Sequence, residues 1–140
     1  MSKEKPKSFL VIEDNAEDAS LIRHAFVSLE SCNAFVCRNL SEAKAYLRGS
    51  GMYANRSAHP FPNAVICDLN LKGESGVEFV VWLTGSAEFS KLPVIILTGS
   101  TSEADISAAR ERGAVSVLKK PARFEELRSM LTDMASKLCS

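Results

Sequence analysis

The sequence predicts a three-layer α/β domain with a central parallel sheet of five strands and five covering helices. Five short apolar runs, mostly without alternating polar residues, are typical of strands buried on both faces of a parallel sheet. Segments of helical length separate these runs, and parallel strands need such crossovers, which are right-handed. The predicted strands are residues 9–12, 34–37, 64–67, 94–97 and 114–118.

Apolar residues recur every three or four positions in the segments between the strands, which predicts helices with one buried face. Asn15 is expected to cap the first helix, and two capping-box patterns begin at Ser75 and Ser100. Gly113 is a helix stop signal. The apolar stripes are Ala19, Ile22, Phe26 and Leu29; Leu40, Ala43 and Leu47; Val77, Val80 and Leu83; and Phe124, Leu127, Leu131, Met134 and Leu138.

Residues 50–63 form the one long segment without strand or helix periodicity. Gly51, Pro60 and Pro62 interrupt regular structure there. Loops of this length are often functional, and a tolerated surface insertion is at least as good an interpretation.

The composition is that of a single globular domain and argues against nucleic-acid and membrane partners. The chain has 140 residues, and its 17 Lys and Arg residues balance 17 Asp and Glu residues. Phosphate backbones and anionic membranes instead attract clustered basic side chains. No apolar stretch approaches the roughly 18 residues of a membrane span, and the run 9–12 is too short for a signal peptide. We therefore expect a cytoplasmic protein.

The four cysteines, Cys32, Cys37, Cys67 and Cys139, are expected to be free thiols. None lies in a C-x-x-C pair or has a histidine partner at zinc-finger spacing. In a reducing compartment such residues behave as small apolar side chains, so we expect three of them to be partly or wholly buried.

Polar side chains follow four of the five predicted strands, at the edge where open parallel sheets bind ligands. Glu13 and Asp14 follow the first strand, and Asp68 follows the third. Thr98 follows the fourth strand, and Lys120 follows the fifth. Each alone is more often a turn or cap residue. Three neighbouring carboxylates, however, repel one another, which favours a bound cation, and few protein carboxylates suit Mg²⁺.

This arrangement resembles the response-regulator receiver domain, the phospho-acceptor module of two-component signalling. The matching motifs are the acidic pair Glu13-Asp14, the acceptor Asp68 in V-I-C-D-L-N-L, Thr98 in I-I-L-T-G-S and Lys120 in G-A-V-S-V-L-K-K-P. The five residues follow the expected strands in the expected order. Together they are a specific signal, although each alone is weak.

The resemblance covers residues 8–140 and implies a flavodoxin-like α/β/α fold with strand order 2-1-3-4-5. Residues 1–7 then form a short polar tail, and no output domain follows. The segment 50–63 adds a weaker resemblance to single-domain regulators that work with phytochrome kinases.

The resemblance implies that Asp68 is the nucleophile that takes a phosphoryl group from a histidine. Asp14 and Asp68 would bind Mg²⁺ directly, together with the backbone carbonyl of Asn70. Glu13 would hold a metal-bound water. The protein would then catalyse only its own phosphorylation and dephosphorylation, and would not be an enzyme acting on other substrates.

Two further residues complete the implied site. Lys120 would contact the phosphoryl oxygens as a point charge, and Thr98 would hydrogen-bond the attached group. The implied partners are a sensor histidine kinase or phosphotransfer protein and an unidentified downstream protein. A homodimer through the face of the fourth helix, fifth strand and fifth helix is a further alternative.

Two positions depart from the pattern of the family that the chain resembles. Lys72 stands four residues after the acceptor, where proline is common, and Val117 stands where an aromatic residue is common. The aromatic side chain swings inward in many members, and valine has no ring to do so. The resemblance also implies a cis bond between Lys120 and Pro121.

Three other functions have some of the same sequence features. A phosphohydrolase of the haloacid dehalogenase kind would need an acid/base Asp two residues after the nucleophile, where this chain has Asn70. A flavodoxin would need a phosphate-binding loop after the first strand, where Glu13 and Asp14 repel phosphate. A pseudo-receiver that only binds proteins would not need the complete set of phosphorylation residues.

Overall fold

The central feature of the computed structural model, which describes residues 6–29, 32–99 and 102–138, is a parallel sheet of five strands. Its order is β2-β1-β3-β6-β7, which is 2-1-3-4-5 when the five strands are counted along the chain. The predicted fold class is therefore confirmed. The strands are β1 (Lys7–Ile12), β2 (Cys32–Cys37), β3 (Ala64–Cys67), β4 (Asn70–Leu71), β5 (Glu74–Ser75), β6 (Val94–Thr98) and β7 (Ser116–Lys119).

Burial on both faces is nearly complete in the three inner strands of the sheet, β1, β3 and β6. Every residue of β3 and β6 is buried, as are five of the six residues of β1. The outer strands β2 and β7 are partly exposed, because each has a neighbouring strand on one side only. The continuous apolar runs therefore predict the inner strands best.

Five α-helices cover the two faces of the sheet. They are α1 (Ala16–Val27), α2 (Leu40–Arg48), α3 (Gly76–Thr84), α4 (Glu103–Glu111) and α5 (Phe124–Leu138). Alternate residues of β1 face opposite sides, as the period of a strand requires. Phe9 and Val11 pack with α1 and α5, whereas Leu10 and Ile12 pack with α2 and α3. None of the described helices is long and apolar enough to cross a membrane.

Two of the three predicted helix caps are confirmed. Asn15 accepts a hydrogen bond at the start of α1, and Ser75 accepts one at the start of α3. The predicted cap Ser100 lies outside the described residues. The structure instead places Ser102 at the start of α4, where it accepts from the backbone N–H of Asp105. After α4, Gly113 has a φ of 120°, so glycine fits this helix stop.

The segment 50–63 is fixed against the domain, although its sequence shows no periodicity. A 3-10 turn spans Gly51–Tyr53. The guanidinium of Arg56 donates to the carbonyl oxygens of Tyr46, Leu47 and His59 at 2.8–3.1 Å. The guanidinium thereby ties the last turn of α2 to the backbone of the segment at His59, and it supplies a donor to the Leu47 carbonyl near the end of the helix.

Two local expectations have different outcomes. Cys32, Cys37 and Cys67 are free and buried, as expected, and Cys139 lies outside the described residues. The expected cis bond before Pro121 is wrong, because no cis peptide bond occurs among the described residues. The trans form is the intrinsically preferred one even before proline.

Candidate functional site

Backbone hydrogen bonds fix the candidate residues at the carboxyl edge of the sheet. The N–H of Asp68 donates to the carbonyl of Ile12 at 3.1 Å, and the N–H of Glu13 donates to that of Cys37 at 3.0 Å. These bonds continue the strand ladders by one residue. Acidic side chains that follow β1 and β3 are thereby held next to each other.

The ammonium group of Lys120 joins three carboxylates in the middle of this edge. Its Nζ lies 2.7 Å from Oε1 of Glu13, 2.9 Å from Oδ2 of Asp18 and 3.0 Å from Oδ2 of Asp68. The lysine side chain is 19% exposed and that of Glu13 only 2%, so water screens these contacts weakly. One cation therefore faces an excess of negative charge.

Burial and the neighbouring charges shift the pKa values of Glu13 and Lys120. Burial raises the pKa of Glu13 to about 7, the charge of Asp68 adds to the rise, and the bond to Lys120 opposes it. For Lys120, burial alone would lower the pKa. The hydrogen bonds to Glu13, Asp18 and Asp68 outweigh burial and raise it, so the ammonium stays charged.

Three carboxylates in this site have a geometry that fits a hard divalent cation. One oxygen each of Glu13, Asp14 and Asp68 lies within 4.8 Å of the others. Oxygen donors of this kind, few in number and partly open to water, match the preferences of Mg²⁺. Asn70 follows two residues after Asp68, and its N–H donates to Oδ1 of Asp68 at 3.2 Å.

The segment that follows Asp68 folds as a small hairpin of β4 and β5. Its turn contains Lys72, whose backbone N–H donates to Oδ2 of Asp14 at 2.6 Å. After the hairpin the chain returns to the neighbourhood of Asp68 at Gly76, whose N–H donates to the carbonyl of Leu69 at 2.8 Å. A Cβ on Gly76 would lie 2.4 Å from the carbonyl oxygen of Asp68, so only glycine fits there.

Thr98 lies at the carboxyl end of β6, the strand that pairs with β3. It is buried, with 1% exposure. Its carbonyl accepts a 2.7 Å hydrogen bond from the N–H of Lys120, which ties the ends of β6 and β7 together. The predicted hydroxyl and ammonium residues therefore follow neighbouring strands.

Sequence reasoning missed two residues of this site. Asp18 contacts Lys120 from the first turn of α1, and the available signal was an acidic residue just inside the helix that begins at the same edge of the sheet as Glu13 and Asp14. Gly76 contacts the backbone of Asp68, and its place directly after the α3 cap, Ser75, was a weaker signal.

Comparisons with known proteins agree with this geometry. The family model of the response regulator receiver domain matches residues 9–132. Response regulator Rcp1 of Synechocystis sp. is 29% identical over 132 residues, which cover 94% of this chain and 88% of Rcp1.

Two crystal structures are similar over nearly the whole chain. The phosphorylated cyanobacterial phytochrome response regulator RcpA is 28% identical, with a TM-score of 0.85 over 96% of this chain and 95% of RcpA. The Mn²⁺-bound form of Rcp1 is 28% identical, with a TM-score of 0.81 over 94% of this chain and 93% of the other. The expected resemblance to phytochrome-associated regulators is therefore confirmed.

Proposed function

This chain belongs to the response regulator receiver domain family, and from that premise we propose that Asp68 accepts a phosphoryl group in a two-component phosphorelay. One observation carries the proposal. The Asp68 carboxylate lies 3.0 Å from the Lys120 ammonium and within 4.8 Å of the carboxylates of Glu13 and Asp14. A nucleophile, a phosphoryl-binding cation and a set of metal ligands are thus within reach of one phosphoryl group.

In the proposed reaction, a carboxylate oxygen of Asp68 attacks the phosphorus of a phosphohistidine. The new P–O bond forms as the P–N bond breaks, and the histidine leaves with the electron pair of that bond and takes up a proton. Asp68 becomes an acyl phosphate, and the Lys120 ammonium balances part of the added negative charge. Thr98, at the end of the adjacent strand, donates its hydroxyl to the attached group.

The acidic residues would hold the divalent cation that this transfer uses. Asp14 and Asp68 would bind the ion directly, the carbonyl of Asn70 would add a third ligand, and Glu13 would hold a metal-bound water. When bound, Mg²⁺ offsets charge on the transferring phosphoryl group and favours in-line attack. The carboxylate oxygens of the three acids support this assignment by their mutual distances of at most 4.8 Å.

The proposed phosphodonor is a sensor histidine kinase or a phosphotransfer protein in the cytoplasm. Similarity to the phytochrome response regulator RcpA makes a phytochrome-type kinase the first donor to test. The signal then passes to a downstream protein, or to a second copy of this chain through the face of α4, β7 and α5. The protein modifies only itself, in its own phosphorylation and dephosphorylation.

Phosphorylation by acetyl phosphate, followed by intact-protein mass spectrometry, tests the proposal directly. Wild-type protein with Mg²⁺ is expected to gain one phosphoryl group, and excess chelator is expected to prevent the gain. Asp68→Asn should gain none. Asp133→Asn is a matched control, since Asp133 is an exposed carboxylate in α5 that pairs with Lys137.

Two results would contradict the proposal. Equal labelling of Asp68→Asn would move the acceptor to another residue. A wild-type protein that gains no phosphoryl group from acetyl phosphate or from a kinase would favour the pseudo-receiver function.

A further inference from the structure

The backbone N–H of Lys72 makes a short hydrogen bond to the side chain of Asp14. The distance to Oδ2 is 2.6 Å, and 58 residues separate the two positions. A bond from an N–H to an ionised carboxylate is among the stronger hydrogen bonds in proteins. It therefore links the turn after the acceptor to a proposed metal ligand on the neighbouring strand.

Asp14 differs from the other two acids of the site in how its side chain is held. Glu13 and Asp68 both contact the ammonium of Lys120. Within the described part of the chain, the hydrogen bond from Lys72 is the contact that the structure gives the carboxylate of Asp14. In this chain the bond therefore holds the orientation of Asp14, whereas the proline that is common at position 72 in the family would offer no N–H for it.

The turn that contains Lys72 is held by hydrogen bonds on both sides. On the side of β4, the N–H of Asn70 bonds to the acceptor Asp68. On the side of β5, Glu74 accepts a 3.1 Å hydrogen bond from the N–H of Leu40 at the start of α2. Between them, Gly73 has a φ of 70°, which suits the third residue of a tight turn.

We propose that Lys72 is a positioning residue of the metal site and that it acts through its backbone N–H and not through its ammonium group. The bond holds Oδ2 of Asp14 and leaves the other oxygen to coordinate the ion. Hydrogen bonds to metal-binding carboxylates typically contribute a 10- to 100-fold factor to metal affinity. The inference rests on the proposed role of Asp14 as a metal ligand.

Two substitutions of Lys72 test the role of its backbone N–H and the role of its side chain separately. Lys72→Pro removes the N–H and places a ring carbon where the hydrogen was, so the carboxylate of Asp14 must turn away. Proline is otherwise suitable there, because it is common in the second position of tight turns and Leu71 before it is extended. Lys72→Ala keeps the N–H and removes the charge.

Calorimetric titration with Mg²⁺, in the absence of a phosphodonor, measures the Mg²⁺ affinity of each variant. Lys72→Pro is expected to bind Mg²⁺ about tenfold more weakly than wild type. Lys72→Ala is expected to bind as tightly as wild type or slightly more tightly, because a nearby positive charge is removed. Thermal unfolding without metal checks that both variants are folded.

A second measurement does not depend on the folding of the proline variant. In the wild-type protein, the Lys72 amide proton should resonate downfield and exchange slowly with solvent, and Asp14→Ala should abolish both properties. Unchanged Mg²⁺ affinity in folded Lys72→Pro, or equal losses in both Lys72 variants, would overturn the inference. So would a Lys72 amide that is insensitive to Asp14→Ala. Labelling of Asp68 is a separate readout, so each of these results leaves the proposed acceptor function standing.

Discussion

The Nζ of Lys120 lies 3.0 Å from Oδ2 of Asp68, although 52 residues separate the two positions in the chain. The same ammonium contacts Glu13 at 2.7 Å. Because β1 and β3 are neighbours and β7 is the outer strand, the lysine side chain reaches across the end of β6 to make these contacts. A phosphoryl group on Asp68 would therefore form next to a positive charge that is already in place.

Replacing Lys120 by alanine is expected to slow phosphorylation of Asp68 by at least about tenfold, since oriented charges at a reacting group commonly contribute more than this. Lys119 is the matched control, because it is the exposed last residue of β7 and neighbours Lys120 in the chain. Lys119→Ala should change the rate by less than about twofold, as surface substitutions usually do. Labelling rates with acetyl phosphate and Mg²⁺ measure both variants. Similar rates for the two would show that the ammonium of Lys120 is not specific to the site.

The carboxyl-edge residues could be predicted from sequence for a simple reason. Strands buried on both faces are continuous apolar runs, and the carboxyl ends of parallel strands share one edge of the sheet. Glu13, Asp14 and Asp68 are close together for this reason, with one carboxylate oxygen of each within 4.8 Å of the others. The contact of Asp18 with Lys120 is different, because it depends on where α1 lies relative to a side chain 102 residues away.

Sequence patterns could not predict two further features. One is the hairpin of β4 and β5 after Asp68, and the other is the packing of residues 50–63 against the domain. Strands of two residues, such as β4 and β5, are too short to show alternation. In the long segment, Arg56 stabilises the structure by donating to backbone carbonyls, and any residue type supplies a carbonyl. The sequence therefore shows that Arg56 can donate hydrogen bonds, but it does not show which carbonyl groups accept them.

Gly76→Ala is expected to destabilise the protein and to impair phosphorylation at the same time. The new Cβ would lie 2.4 Å from the carbonyl oxygen of Asp68 and 3.0 Å from Cα of Leu69, so the backbone at Asp68 must move. Overpacking of this kind typically costs about 1–3 kcal/mol of the free energy of unfolding.

Gly99→Ala is the matched control for the stability of the glycine variant. No described atom lies within 4 Å of a Cβ placed there, so its free energy of unfolding should change by less than about 0.5 kcal/mol. Urea unfolding of both variants measures the difference. A Gly76→Ala protein as stable as Gly99→Ala would mean that the backbone after Asp68 adjusts freely.

The two tyrosines are expected to resist ionisation in the folded protein. Burial raises the pKa of Tyr46 and the pKa of Tyr53 from 10.0 to about 12. A raised pKa in the folded state means that the stabilisation is complete below pH 10 and is lost as the pH rises from about 10 to about 12. Tyrosinate absorbance of the folded protein should therefore appear near pH 12 and not near pH 10.

Tyr46→Phe tests the alkaline behaviour at one of the two sites. It removes a hydroxyl that donates to the carbonyl of Pro60 at 2.9 Å, so stability at neutral pH should fall by about 1 kcal/mol. The decline of stability above pH 10 should become shallower than in wild type. Ionisation near pH 10 in a protein that keeps its folded circular dichroism would contradict the expectation.

Activation is expected to change the backbone around Thr98 more than around Val117. Thr98 is the last residue of β6, the strand next to β3 and Asp68, and its carbonyl accepts from the N–H of Lys120 at 2.7 Å. Movement of Thr98 toward a phosphoryl group would therefore be transmitted to the end of β7. Val117 is buried, β-branched and stiff at χ1, and it has no ring that could change position. Beryllofluoride, a phosphoryl mimic, should therefore shift the amide resonances of Thr98 and Lys120 strongly and that of Val117 weakly. The shifts should be absent in Asp68→Asn, and a large change at Val117 with none at Thr98 would show that the signal takes another route.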